Sequence, residues 1–186
     1  YKQFANTFYS WTRDFSSVVY DGTHSDKRSD LITYQSYNEF SRGINSIPSS
    51  DANYTDNYKH IRRTNLLLQN AEAYAKPEDI KQYIGEAYFF RAYSYFDLLQ
   101  LYGDVIITKK PLDITDPEMK VKRNDRSEVV DLIIDDLNHA VENLPAFKEL
   151  TTEEEGRISK EGAQAFLSRV ALYEGTWQKS RNGNQN

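Results

Sequence analysis

The sequence has 186 residues, 39% hydrophobic and 27% charged, with a formal net charge of −5, which is enough chain and apolar content for one globular domain with a real core. Its negative balance argues against nucleic-acid binding, which needs clustered lysines and arginines, and the one short basic run, residues 120–126, reads as a solvated loop. The absence of cysteine excludes a disulfide framework and a thiolate metal site, and no apolar run reaches the roughly 18 residues of a membrane-spanning helix.

The first residue is Tyr1, so a processed or truncated start, with any targeting segment removed, is expected. Residues 4–20 place Phe4, Phe8, Trp11, Phe15, Val18 and Val19 on one broad face, which predicts an amphipathic helix. Residues 21–51 change character and read as a long loop insertion dense in Ser, Asp, Asn, Gly and Thr, with a short helical turn near 37–42. Loops of this length inside a domain are uncommon and often functional. Here Tyr20, Tyr34 and Tyr37 stand among Asp26, Arg28, Asp30, Asn38 and Asn45. Flat rings beside bidentate polar groups suit a pyranose, which offers an apolar face and a rim of hydroxyls. Tyr34, Tyr37, Asp30, Arg28 and Asn38 are therefore the candidate ligand residues, against the plainer reading that these tyrosines only pad the domain.

Helical spacing resumes over residues 54–75, with Tyr58, Ile61, Asn65, Leu68 and Ala75 on one face. Asn65 on that face is expected to brace a neighbouring backbone turn. After a break at Lys76 and Pro77, a second helix over residues 78–102 makes an antiparallel pair with the first. Eight aromatic residues lie between Tyr83 and Tyr102, and the apolar positions fall in three sectors, led by Phe90, Tyr95 and Phe96. A helix apolar on several sides is buried by several neighbours. Gly85 predicts a close helix crossing, and Gly103 a left-handed stop. Glu86 and Arg91, about 140° apart around the helix, cannot pair with each other, so each is expected to find a partner on another element.

Residues 105–114 read as extended and 115–126 as loop. A third helix over residues 127–144 carries Val130, Ile133, Leu137, Ala140 and Leu144, with Asp125 or Ser127 as N-cap and Glu128 as a capping-box partner of Asp125. The last helix starts near Ser159, carries Ala163, Phe166, Leu167, Val170 and Tyr173, and is expected to stop at Gly175. The fold class is mainly all-α: helix pairs, 54–75 with 78–102 and 127–144 with 159–174, stacked as an α-solenoid or bundle with long loops.

No catalytic, metal or cofactor site emerges. His24, His60 and His139 share no metal-ligand spacing, and no phosphate-cradling glycine loop or nucleophile elbow is present. Asp135 and Asp136 project about 100° apart on a helix, so they do not converge as a glycosidase pair; either is a candidate partner for Arg91.

The segment GEAYFFRAYSYFDLLQLYGDV, residues 85–105, resembles the signature of the SusD/RagB family. Three further blocks follow the family's order: YKHIRRTNLLLQNAE (58–72), with Asn65 at its recurring Asn, RSEVVDLIIDDLNHAVENLP (126–145), and GRISKEGAQAFLSRVALYEGTW (156–177). The resemblance implies tetratricopeptide-like helix pairs over residues 1–186, with more chain expected after them. It also implies an oligosaccharide or other nutrient as ligand, a SusC-like TonB-dependent transporter as partner, and an outer-membrane, cell-surface location through a lipid anchor on the full-length precursor. Gly85, Glu86, Arg91, Gly103 and Asn65 match family positions and read as fold determinants, while Ile106 stands where the family often has Pro. The alternative function is a helical-repeat adaptor that binds a protein or peptide in a concave groove.

Overall fold

A computed structural model describes residues 1–13, 42–113 and 115–181. The order is α1 (Lys2–Asn6), α2 (Ala52–Glu72), α3 (Lys81–Tyr102), α4 (Arg126–Asn143) and α5 (Lys160–Arg181), with short 3₁₀ turns between them. Among the described residues the only β pairing is an isolated antiparallel bridge between Val105 and Asn124. The chain is mainly α-helical and built from helix pairs, α2 with α3 and α4 with α5.

The centre of the packing is α3, and each of its sectors meets a different neighbour. Phe90 takes Phe8 and Tyr9 of the N-terminal segment, with ring centroids 5.7 and 5.0 Å apart. Phe89 and Phe96 converge on Phe166 of α5 at 5.5 and 5.4 Å. Tyr88 faces His139 of α4 at 4.9 Å. Gly85 lies against the end of α4, where a Cβ would stand 2.9 Å from Leu144 Cγ and 3.0 Å from its backbone nitrogen. Glycine at this crossing lets the two backbones approach. Gly103 ends α3 with φ +71°, and its N–H donates to Leu99 O at 3.0 Å.

Caps and boundaries follow local chemistry. Asp51 opens α2 by accepting the Asn53 N–H at 2.9 Å. Asp125 is the N-cap of α4, and its own N–H donates to Glu128 Oε2 at 2.9 Å. Ala75 lies beyond the end of α2 and is exposed, so the face read there stops at Ala71.

Two elements differ from the sequence reading. The helix expected over residues 4–20 is α-helical only to Asn6; it tightens into a 3₁₀ turn at Thr7–Trp11 and leaves at Thr12, where ψ is 138°. The hydroxyls of Ser10 and Thr12 donate to the carbonyls three residues back, and a three-residue repeat sets Phe8 and Trp11 on one side, both against Phe90. Residues 14–20 lie outside the described residues, as does most of the 37–42 turn. The second difference is α5, which runs through Gly175 to Arg181. Arg126 holds this end: it bonds Glu174 Oε2 through Nε at 3.1 Å and Nη2 at 2.6 Å, and its guanidinium lies 4.1 Å from the Trp177 ring. Those contacts outweigh the weak helix propensity of one glycine.

Candidate ligand-binding site

Glu86 and Arg91 of α3 are fully engaged. Arg91 forks onto Asp136 of α4, Nε to Oδ2 at 2.8 Å and Nη2 to Oδ1 at 2.6 Å, while Nη1 donates to Asn65 Oδ1 of α2 at 2.8 Å. Asn65 passes the connection on, donating from Nδ2 to Thr108 O at 2.9 Å and Lys110 O at 3.2 Å. Tyr95 clamps the same segment, accepting from Thr108 N at 2.8 Å and donating to Thr108 O at 3.2 Å. Burial raises the Asp136 carboxyl above its ordinary range, with Arg91 pulling it back down. Glu86 is bound by Arg157, Nε to Oε1 at 2.7 Å and Nη2 to Oε2 at 2.6 Å, and burial likewise pushes its carboxyl up. Asn65, Glu86, Arg91 and Asp136 are buried and Arg157 is largely covered, and all are mutually satisfied, so they brace the helices and leave no valence for a ligand.

Of the possible partners for Arg91, the structure selects Asp136; Asp135 is exposed. Arg157, which answers Glu86, was missed by sequence reasoning. Its signal was its place in the GRISKEG block, since a separation of 71 residues carries no periodicity.

Tyr34, Tyr37, Asp30, Arg28 and Asn38 all lie outside the described residues. The structure does show what flanks their stretch. Arg13 on one side and Ala52 on the other line a single cavity of about 170 Å³, together with Trp11, Asn57, His60, Tyr93 and Asp97. Trp11 stacks on His60 with centroids 4.1 Å apart and planes 13° from parallel. Arg13 forks onto both oxygens of Asp97, and Asn57 Nδ2 donates to Asp97 Oδ2 at 3.0 Å. Burial holds the His60 pKa below its ordinary value, with Asp56 and Asp97 opposing. A ring pair beside a carboxylate, a guanidinium and an amide combines the two surfaces a sugar needs, an apolar face and bidentate polar edges.

A second, larger cavity of about 460 Å³ opens along the other side of the first turns of α2. Tyr54 and Tyr58 line it with their rings 4.8 Å apart, and Tyr58 donates its hydroxyl to Ile106 O at 2.8 Å. Ile106, Leu112 and Met119 complete an apolar lining, with Lys59, Arg62, Lys110 and Glu118 at its margin. Among the described residues no cluster of three or more His, Asp or Glu could hold a metal, and no helix is long and apolar enough to cross a membrane.

Residues 6–172 match the sequence model of a SusD-like family described as "Starch-binding associating with outer membrane". The chain belongs to the SusD-like family. It is 33% identical over 133 residues to SusD-like protein P38 of Formosa agariphila, covering 69% of this chain and 25% of that one. A solved SusD-like protein from Bacteroides fragilis superposes with a TM-score of 0.71 at 25% identity, over 95% of this chain and 35% of its own. A solved structure named as a laminarin-binding SusD-like protein is 31% identical with a TM-score of 0.65, over 76% of this chain and 30% of its own. The chain thus spans about a quarter of the length of the first curated SusD-like relatives it matches. The blocks at residues 58–72, 85–105 and 126–145 fall within the matched span, and the block at 156–177 falls within it as far as residue 172.

Proposed function

We propose that this SusD-like chain binds an oligosaccharide at the cell surface of the outer membrane, without a catalytic step, and passes it to a TonB-dependent transporter. The membrane association in the family's description fits a lipid-anchored precursor, and the binding of laminarin by a 31% identical relative fits a glycan ligand. The observation that carries the reading is the meeting of Arg13 and Ala52 at one cavity. Arg13 precedes the stretch holding Tyr34, Tyr37, Asp30, Arg28 and Asn38 in the chain and Ala52 follows it, and both line the cavity with Trp11, His60 and Asp97.

Isothermal titration of the protein against a glycan panel tests it. Binding of at least one oligosaccharide, weakened roughly 2- to 12-fold by Tyr34→Ala or Tyr37→Ala, is the expected result, the range being the contribution of one stacked ring. No response to any glycan, with capture of a peptide instead, would favour the adaptor reading.

A further inference from the structure

Resting on the glycan-binding reading, we propose that the larger cavity takes an acidic oligosaccharide, with pyranose faces on Tyr54 and Tyr58 and carboxylate or sulfate groups on a cationic strip along residues 117–123. The floor is ordered: the Tyr58 hydroxyl is committed to Ile106 O at 2.8 Å, and Tyr54 is set by Tyr58 and by Tyr102, 5.2 Å away. The segment that supplies Glu118 and Met119 to the wall continues into Lys120, Lys122 and Arg123, all exposed. Asn124 then pins it to the extended segment behind the cavity, accepting from Ile107 N at 2.9 Å and bridging Val105.

Charge decides the ligand class. Among the described residues no carboxylate pairs with Lys120, Lys122 or Arg123. The acids that pair with the cations lining the cavity are all exposed: Asp56 to Lys59 at 2.7 Å, Asp113 to Arg62 at 3.6 Å, with Arg62 Nε also donating to Leu112 O at 3.2 Å, and Glu118 to Lys110 at 2.7 Å. Solvent-exposed pairs of this kind contribute little, so a ligand's anionic group can displace the protein's own. Lys59, Arg62 and Lys110 line the cavity and Lys120, Lys122 and Arg123 follow its wall segment along the chain, six cations against Asp56, Asp113, Asp116 and Glu118, in a protein whose net charge is −5. That local excess of positive charge attracts an anion and gives nothing to a neutral sugar. The concavity fits a chain end laid over two rings, and Met119 and Val121, about half exposed, offer further apolar surface to the C–H faces of the sugar.

The test is isothermal titration of the full chain with tetragalacturonate, a sulfated neocarratetraose and maltotetraose, at low and at high salt. The variants are Tyr54→Ala and the triple Lys120→Ala/Lys122→Ala/Arg123→Ala, whose residues are exposed and make no ion pair among the described residues. At low salt at least one acidic sugar is expected to bind roughly ten-fold or more tightly than maltotetraose, and to lose about that factor in the triple variant and in high salt. Carboxylate and sulfate are told apart by which of the two acidic probes responds. Maltotetraose binding as well as the acids, or acid binding unmoved by the triple variant, overturns the inference and leaves the glycan reading standing. Silence from all three probes and from the wider glycan panel brings down both.

Discussion

The braced interior around α3 and the first turns of α2 hold nearly the same side chains, arginine, aspartate, asparagine and tyrosine, and use them oppositely. Around α3, Arg91, Asp136 and Asn65 close a network in which each polar atom meets protein, and the rings are buried. Along α2, Asn57, His60, Tyr54 and Tyr58 border two cavities. Residue type therefore does not separate scaffold from candidate site in this chain, and burial alone does not either, since Asn57 is buried and bonded to Asp97; the opening onto a cavity does.

The sharpest way to break that contrast is Arg91→Ala, which leaves Asp136 charged and buried without its partner. A loss of about 3–5 kcal/mol in urea denaturation is expected, with much of it restored in Arg91→Met/Asp136→Leu, because an apolar pair removes the desolvation problem from both sides. Should Arg91→Ala melt like the parent, the network does not brace the helices. Next comes Gly85→Ala, whose Cβ would press on Leu144, including its backbone nitrogen; overpacking of this kind costs about 1–3 kcal/mol despite alanine's better helix propensity, and a stabilised variant would refute the close crossing. Arg126→Ala removes the anchor of α5 at Glu174 and Trp177. About 0.5–2 kcal/mol and some helical circular dichroism should go with it, most visibly as earlier melting of the last turns.

The smallest effect lies at the α2 end. Burial depresses the His60 pKa below 6.5, so the unfolded chain binds more protons than the folded one in the window just beneath that value. Stability should therefore fall as pH drops through 6.5, and His60→Gln should flatten that slope while the parent keeps it. An identical slope in both proteins would remove His60 from the explanation.

Much of this scaffold is legible in the sequence because its signals are local. The sectors of α3, the Asp125 cap with Glu128, and the positive φ at Gly103 follow from periodicity and end chemistry. What escapes is tertiary. A glycine such as Gly175 signals a stop until Arg126, 48 residues earlier, grips Glu174 across the fold. The aromatic spacing of Phe4, Phe8 and Trp11 suits a 3₁₀ turn as well as an α-helix, and Phe90 favours the tighter turn. Glu86 shows that a partner is needed without showing that it is Arg157. At the candidate site, composition picks out the 21–51 stretch but cannot place its rings, whereas the cavity at Arg13 and Ala52 is a property of folded neighbours.

The separation of scaffold from site is tested most directly by titrating the parent and Tyr34→Ala/Tyr37→Ala with the best-binding oligosaccharide, with melting curves on the same samples. The expected result is a loss of roughly 4-fold or more in affinity at an unchanged melting temperature, from two lost ring contacts. Affinity unchanged by the double substitution would contradict placing the site at the 21–51 stretch.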